Sequence, residues 1–355
     1  MEPIKPENPG KYLLLISVHG LLRGHDMELG RDADTGGQIK YVVELARALA
    51  ADPRVDQVDL LTRRVIDNRV SDDYAAHEEW LAPGARVVRL NCGPRRYLRK
   101  ETLWPHLDSF VDAATRYISD LGRTPDIIHS HYADAGYVGT RLAALMGVPL
   151  IHTGHSLGRV KRQRLLERGE TAAGLETKYN LTQRIEAEET TLDNAALIVA
   201  STQQEVDEQY ALYDNYSPRR IFVIPPGVEL NRFSPPRREF RRPAIYRELE
   251  RFLNTPNRPM ILALSRADER KNIATLVRAY AEHPTLREQA NLVIIAGNRD
   301  DIAGMERGPR QVLSELLMAI DRYDLYGCVA YPKTHQSEDV AELYRLATRT
   351  HGLFV

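Results

Sequence analysis

The sequence predicts an α/β fold built from two doubly wound parallel sheets, the second of them incomplete. Two observations support this prediction. Patterns typical of buried strands alternate with helical patterns, and the alternation begins again after a segment rich in Pro and Arg, residues 229–258. A chain of 355 residues is long enough for two domains with separate cores. We therefore divide it into an N-terminal domain, residues 1–228, and a C-terminal domain, residues 229–355, which begins with a hinge at 229–258.

In the first domain, short apolar runs predict strands, and the segments between them repeat at the helical period. The predicted strands are Tyr12–Val18, Gln57–Leu61, Arg86–Asn91, Asp126–Ser130, Leu150–Thr153, Ala196–Ala200 and Ile221–Ile224. The predicted helices are Ile39–Ala50, Leu103–Asp120, Ala133–Leu145, Leu175–Asp193 and Gln203–Gln209. Such alternation is typical of a parallel sheet covered by helices on both faces.

The second domain repeats the pattern over a shorter length. Its predicted strands are Met260–Leu264, Leu292–Ala296 and Cys328–Tyr331, and its predicted helices are Ile273–Glu282, Gln311–Tyr323 and Asp339–Ala347. A fourth strand starts at Gly352–Val355. Because domains of this type have about 150 residues, we expect the second domain to be truncated at its C-terminus.

Composition and charge argue against several classes of function. The formal net charge of −1 argues against a nucleic-acid partner, and no apolar run approaches the roughly 18 residues of a membrane span. Residues 1–10 are polar and Pro-rich, without the apolar centre of a signal peptide. Cys92 and Cys328 lie far apart, which favours reduced thiols. We expect a cytoplasmic enzyme without a membrane partner.

Gly36 and Gly37 lie between the first predicted strand and the helix that follows it. Glycine lets the backbone approach a ligand closely, and the free N–H groups of a helix N-terminus favour an anion. The position alone leaves two interpretations open, an anion site and a helix start without a ligand.

Longer motifs extend over most of the chain. They occupy residues 17–21, 24–32, 34–38, 99–101, 103–105, 152–158, 184–189, 224–228, 264–266 and 271–272. Together they resemble the sucrose-phosphate synthases, which are retaining glycosyltransferases of family 4 with the GT-B fold. The double glycine is shared with many glucosyltransferases, whereas the blocks at 25–40 and 155–158 are more specific.

The resemblance implies two Rossmann-like domains that face each other across a cleft. The N-terminal domain would bind the acceptor sugar phosphate, and the C-terminal domain the nucleotide-sugar donor. The implied reaction transfers glucose from UDP-glucose to the 2-hydroxyl of fructose 6-phosphate with retention, giving sucrose 6-phosphate and UDP. No cofactor would be tightly bound. The resemblance leaves open ADP- or GDP-glucose as the donor, stimulation by Mg²⁺, and sucrose-phosphate phosphatase as a partner.

Many basic residues precede or follow the strands of the first domain: Arg99, Lys100, Arg159, Lys161, Arg162, Arg164, Lys178 and Arg184. Cations and a hydroxyl are what a phosphorylated sugar requires, although most charges of this kind are simply solvated. The resemblance implies that the acceptor is bound by Gly36, Gln38, Lys100, Ser156, Lys161 and Arg184. One position departs from the family, which often has two adjacent arginines where this chain has Gln183 and Arg184.

Arg266 and Lys271 lie in the loop between a strand and a helix of the second domain. Two cations and a helix N-terminus can stabilise a departing diphosphate. By sequence alone, a solvated pair beside Asp268 and Glu269 is the commoner case. The resemblance implies donor binding by Gly36, Gly37, Arg266 and Lys271, and catalytic roles for His155, Arg266 and Lys271, with His155 approaching the transferred glucose.

Two further clusters receive structural interpretations. The histidines at 129, 131, 152 and 155 lack a carboxylate or Cys at metal-site spacing, so no metal site is predicted. Glu186, Glu188 and Glu189 fall within one helical turn, and we expect them to form a solvated face.

The resemblance implies a front-face displacement that requires no protein nucleophile.

Two alternative functions stay open. A sucrose synthase would use free fructose, which the basic acceptor set disfavours. A catalytically silent sugar-phosphate-binding protein is the other alternative. In the resembled family, a Glu-x₇-Glu loop follows the strand that begins here at Leu353, so we expect residues 1–355 by themselves to be inactive.

Overall fold

The computed structural model describes residues 10–28, 32, 34–236 and 242–355. The remaining residues include the predicted N-terminal segment, part of the first motif at 29–31 and 33, and the hinge residues 237–241, so those predictions lie outside the description.

The chain folds as two compact units, Met1–Pro226 and Gly227–Val355. Their boundary falls two residues before the one expected from the sequence.

Within the described residues, the first unit contains an eight-stranded sheet with the order β3-β4-β2-β1-β5-β6-β7-β8. Its strands are β1 (Lys11–Ile16), β2 (Val55–Arg63), β3 (Glu78–Ala82), β4 (Ala85–Leu90), β5 (Ile127–His131), β6 (Leu150–Thr153), β7 (Leu197–Ala200) and β8 (Ile221–Val223). These strands pair in parallel, apart from the antiparallel pair of β3 and β4. The edge strand β3 was not predicted, because its sequence Glu-Glu-Trp-Leu-Ala does not follow a buried pattern.

The helices of the first unit are α1 (Gly37–Ala50), α2 (Leu107–Leu121), α3 (Ala133–Met146), α4 (Gly158–Glu167), α5 (Ala172–Tyr179), α6 (Leu181–Asn194) and α7 (Gln203–Glu208). Two differ from expectation. Helix α4 was not predicted, since Gly158 is its one buried residue and it has no apolar stripe. The helix predicted over 175–193 is two helices, because Asn180 adopts a left-handed φ of 48° between them.

The first core lies on both faces of this sheet. From β1, Leu14 and Ile16 pack into the cluster that includes α2 and α3, whereas Leu15 packs with α1. The register places Ile16 beside Ser130 and His131 beside Thr153. The segments that follow β1, β5 and β6 therefore emerge side by side at the carboxyl edge of the sheet, where ligands bind in open α/β folds.

In its described residues, the second unit has a parallel four-stranded sheet with the order β11-β10-β9-β12. Its elements are α8 (Ala244–Glu250), β9 (Met260–Leu264), α9 (Ile273–Ala281), α10 (Pro284–Gln289), β10 (Asn291–Ile295), α11 (Arg307–Arg322), β11 (Val329–Ala330), α12 (Asp339–Arg349) and β12 (Leu353–Phe354). Helix α8 lies within the predicted hinge. It buries Ile245, Tyr246 and Leu249 in the core of this unit.

None of the helices in the described residues combines the length and the apolar character that a membrane crossing requires.

Candidate active site

The loop after β1 leads to the double glycine at the start of α1. Gly20 has a φ of 83°, and a Cβ there would lie 2.6 Å from the backbone oxygen of Asp34, so a side chain does not fit. Gly36 occupies the N-cap position of α1, where it has no side chain to cap the helix. A Cβ on Gly37 would have nothing within 4 Å. The start of α1 therefore offers backbone N–H groups beside open space, which suits an anion.

Asp34 holds Lys100 by two hydrogen bonds. The Lys100 backbone N–H donates to Oδ2 of Asp34 at 2.9 Å, and the ammonium bonds to Oδ1. Burial raises the pKa of Asp34, but the charges of Lys100 and His19 and the two hydrogen bonds outweigh it, so the pKa is lowered. Lys100 begins a short 3₁₀ turn, and α2 starts only at Leu107. The carboxylate thus fixes this cation.

Arg184 on α6 contacts the turn that follows β6. Its Nη2 donates to the backbone oxygen of Ser156 at 2.6 Å, and Oγ of Ser156 lies 3.4 Å away. Its Nε donates to Glu188 at 2.9 Å. The guanidinium also lies over the Tyr132 ring, 4.6 Å from its centroid. Arg184 is 3% exposed, so its orientation is set by these partners.

The burial of Glu188 shows that the prediction of a solvated face formed by the three glutamates of α6 was wrong. Its side chain is 1% exposed, and it accepts hydrogen bonds from Arg184, from the Gly158 backbone N–H at 2.9 Å and from the Tyr213 hydroxyl. Glu189 is half-buried and bonds to Arg159 at 2.5 Å. Only Glu186 of the three is exposed as predicted. Helical spacing put the three on one turn but could not reveal which neighbours cover it.

Lys161 lies in the first turns of α4, with its ammonium 3.8 Å from the centroid of the Tyr179 ring. Burial, and then the positive charges of Arg184 and Lys100, lower the pKa of Lys161 to about 8. The charges of Glu101 and Asp34 act in the opposite direction. Three cations are therefore close enough to repel one another, an arrangement that an anion would relieve.

His155 follows β6 in a left-handed conformation, with a φ of 57°. Its Nε2 lies 3.1 Å from Nδ1 of His131, and the Tyr41 ring packs edge-on against the His155 ring at 5.1 Å. Burial, and then the charges of neighbouring histidines, lower the pKa of His155 to about 3. The side chain of Gln38 extends toward the same place, with Nε2 at 3.4 Å from Oγ of Ser17 and from the backbone oxygen of His131.

In the second unit, Arg266 and Lys271 lie between β9 and α9, as predicted from the sequence. Arg266 is 3.8 Å from Asp268, which is longer than a hydrogen bond. Asp268 instead accepts from Nε of Arg270 at 2.9 Å, and this bond is the main reason that its pKa falls to about 2. Lys271 is exposed at the end of a 3₁₀ turn. The neighbouring carboxylate is thus engaged mainly by Arg270.

The described residues contain no group of three or more His, Cys, Asp or Glu side chains that could hold a metal ion.

Comparison with known proteins decides the family. A family model described as a glycosyl transferase 4-like domain matches residues 36–227. The solved structure of a sucrose-phosphate synthase from Thermosynechococcus elongatus matches this chain with a TM-score of 0.69 and 30% sequence identity. The match covers 95% of this chain and 74% of that one. The chain belongs to the sucrose-phosphate synthase family. It is also 44% identical to the probable sucrose-phosphate synthase 1 of Oryza sativa subsp. indica, over 97% of this chain and 37% of the rice protein.

The GT-B fold of this sucrose-phosphate synthase family member is shared more widely. The Anabaena protein HepE in complex with UDP-glucose is 16% identical, with a TM-score of 0.55 over 94% of this chain and 71% of that one. The chain spans less than half the length of the curated relatives that it matches.

In this sucrose-phosphate synthase family member, the predicted acceptor residues of the first unit lie at the carboxyl edge of its sheet. Sequence reasoning missed Asp34, Glu188, His131 and Tyr179. Of these, Glu188 had a detectable signal, since it lies four residues after Arg184 on one helix face.

Proposed function

We propose that this chain supplies the acceptor domain and the first part of the donor domain of an enzyme that transfers glucose from UDP-glucose to fructose 6-phosphate, with retention, to give sucrose 6-phosphate and UDP. The observation that supports this most directly is the gathering of Lys100, Lys161 and Arg184, the last of which contacts Ser156. Like charges held this close favour an anionic ligand, and a sugar phosphate supplies one.

The three cations would contribute differently to acceptor binding. Asp34 and Glu188 already neutralise part of the charge of Lys100 and Arg184 while holding them in place. Lys161 contacts an aromatic ring instead, and burial, followed by the charges of Arg184 and Lys100, lowers its pKa. A bound phosphate would stabilise the protonated form of Lys161, so this residue should gain most from the acceptor.

The donor half of the reaction is assigned to the second unit. As the bond between C1 of glucose and the UDP phosphate oxygen breaks, Arg266 and Lys271 would stabilise the charge that develops on the diphosphate. A bond forms between C1 and the 2-oxygen of fructose 6-phosphate on the same face. The proton of that hydroxyl passes to the departing phosphate oxygen, and His155 contacts the transferred glucose. The UDP-glucose in the HepE complex supports a nucleotide-sugar donor.

We also propose a cellular setting for this reaction. A cytoplasmic enzyme would release a phosphate monoester, which a sucrose-phosphate phosphatase is suited to consume.

Parallel assays distinguish the candidate functions. Residues 1–355 and a protein extended at the C-terminus through the expected Glu-x₇-Glu loop are each incubated with UDP-, ADP- or GDP-glucose and either fructose or fructose 6-phosphate, and both products and binding heats are measured. We expect turnover only in the extended protein, in which the kinetic effects of substitutions are also measured. Comparable turnover by the two proteins would contradict the expectation that residues 1–355 alone are inactive. Sucrose 6-phosphate as the main product supports the proposal. Sucrose from free fructose at a similar rate would favour a sucrose synthase. Binding of fructose 6-phosphate by the extended protein without turnover of any donor would indicate a catalytically silent sugar-phosphate-binding protein.

A further inference from the structure

His131 and His155 form a pair of imidazoles at the carboxyl edge of the first sheet. Nδ1 of His131, on the last residue of β5, lies 3.1 Å from Nε2 of His155. The Tyr41 ring packs edge-on against both imidazoles. Its centroid lies 5.9 Å from that of His131 and 5.1 Å from that of His155. The side chain of His131 is completely buried, whereas His155 is partly exposed. One ring is thus part of the core and the other reaches the surface of the site.

The backbone around both residues is anchored independently of the two rings. The Tyr210 hydroxyl accepts a hydrogen bond from the Gly154 N–H at 3.1 Å, and the Ser156 N–H donates to the Gly154 oxygen at 2.6 Å. The backbone oxygen of His131 lies 3.4 Å from Nε2 of Gln38. These contacts place the main chain of His155, and the contact with His131 orients its ring.

Both imidazoles are neutral at the pH at which enzymes usually work. Burial, and then the charges of His129, His155 and His152, hold the pKa of His131 well below its ordinary value. Burial likewise lowers the pKa of His155 to about 3. In a hydrogen bond between two neutral imidazoles, one nitrogen carries the proton and the other accepts it.

The buried environment of His131 decides which ring donates. Its Nε2 is buried and has no hydrogen-bond partner among the described residues. A proton on that nitrogen would leave a buried N–H without an acceptor, which is rarer in proteins than an unsatisfied acceptor. A proton on Nδ1 avoids this, because that nitrogen has His155 as its acceptor.

We infer that His131 is a positioning residue that donates from Nδ1 to Nε2 of His155 and so fixes His155 as the tautomer protonated on Nδ1. The remaining ring nitrogen of His155 is then a hydrogen-bond donor, which suits an oxygen of a sugar. The consequence for glucose transfer rests on the proposed function, whereas the tautomer is a property of the protein alone.

Nitrogen NMR of the protein labelled with ¹⁵N-histidine tests the tautomer directly. The signals of His155 are identified by their loss in His155→Asn. We expect Nδ1 of His155 to be protonated and Nε2 to be unprotonated at pH 7.5. The opposite assignment would overturn the inference, whether or not the protein transfers glucose.

Two substitutions at the buried ring provide matched variants. His131→Asn keeps an N–H near the position of Nδ1, whereas His131→Leu has similar bulk and no donor. We expect His131→Asn to retain the tautomer of His155 and most of kcat. His131→Leu should lose that tautomer preference and about tenfold in kcat, with the KM for fructose 6-phosphate changed less than twofold.

The comparison between these variants decides between positioning and simple packing. Equal losses of kcat in both, with the His155 tautomer unchanged in both, would show that His131 only fills the core. If His131→Leu does not fold, the tautomers in the unmodified protein and in His131→Asn still decide the question. If neither protein turns over substrate, a protonated Nδ1 upholds the tautomer and removes only the proposed function.

Discussion

At the scale of single residues, the three cations of the first unit differ in what surrounds them. Lys100 is paired with Asp34, Arg184 with Glu188, and Lys161 lies over the Tyr179 ring. A paired cation is already satisfied in the protein, so its interaction with a new anion is weaker than that of a cation in a positive potential. Sensitivity to substitution should therefore be greatest at Lys161.

We expect Lys161→Ala to raise the KM for fructose 6-phosphate about 10- to 100-fold, because a charge-assisted hydrogen bond is lost. Steady-state kinetics with varied acceptor measures this. Arg162→Ala is the control, since Arg162 is an exposed neighbour on the same helix. An unchanged KM in Lys161→Ala would remove this residue from the acceptor site.

The lowered pKa of Lys161 predicts a pH dependence. The ammonium is present below about pH 8 and is lost above it, so kcat/KM for fructose 6-phosphate should decline as the pH rises through 8. The titrating ammonium interacts with Arg184, Lys100, Glu101 and Asp34. Lys161→Arg keeps its charge throughout and should abolish the decline. The same decline in both proteins would assign it to another group.

Arg266 and Lys271 should act mainly on kcat, because the charge they are proposed to face grows in the transition state. Replacing either by Ala should lower kcat roughly 10²- to 10³-fold. Arg266→Lys should also be impaired, since the planar guanidinium is lost. Arg270→Ala is the control, because Arg270 is exposed and bonds to Asp268. A variant altered only in its acceptor KM would contradict this role.

At the scale of elements, Glu188 connects two helices. Its carboxylate on α6 accepts from the first N–H of α4 and from Arg184, and the Tyr213 hydroxyl donates to it as well. An anion at a helix N-terminus is favourable, and here it also neutralises a buried guanidinium. The position of α4, and with it that of Lys161, therefore depends on one side chain of α6.

We expect Glu188→Gln to lower the free energy of unfolding by about 3–5 kcal/mol, because it leaves the Arg184 charge buried without its partner. Denaturant unfolding followed by circular dichroism measures this loss. Glu186→Gln on the exposed face of the same helix should stay within about 0.5 kcal/mol of the unsubstituted protein. Equal stability of the two variants would mean that the Arg184–Glu188 pair contributes little.

At the scale of the whole molecule, each unit has its own sheet and core. Among the described residues, the buried histidines all lie in the first unit. The first unit buries His131 and His152, and His129 lies half-buried beside them. Burial lowers the pKa of His129 to about 3 and that of His152 to about 4. These histidines are neutral in the folded unit and gain protons when it unfolds in weak acid.

This predicts acid sensitivity of the first unit. Because the folded pKa values lie below the ordinary value of about 6.5, stability is complete above pH 6.5 and is lost as the pH falls toward 3. Urea unfolding at pH 7, 5.5 and 4.5 should show a falling midpoint. His129→Gln keeps an N–H for the hydrogen bond to Thr153 without the titration, so its midpoint should fall less. An equal fall would assign the effect to other groups.

Local patterns in the sequence were enough to predict the two alternations of strand and helix, the family, and the placement of the motifs after strands. These properties are local. The alternation of apolar residues in a strand or a helix, and the residues of each motif, can be recognised within one short segment of the chain. It missed α4 and β3, which carry no apolar stripe, and the break at Asn180, which depends on one backbone angle.

Which side chains meet at the site depends on the packing of segments that lie far apart in the chain. Asp34 and Lys100 are 66 residues apart in the chain, and His131 and His155 are 24 apart. His131 ends β5 and His155 follows β6, and these two strands are neighbours in the sheet. Asp34 follows β1 and Lys100 follows β4, which are separated by β2, so the loops after these strands bring this pair together. Burial of Glu188 likewise depends on Tyr213 and α4 packing over it. The chemistry of a charged side chain is set by these distant neighbours, which no local pattern encodes.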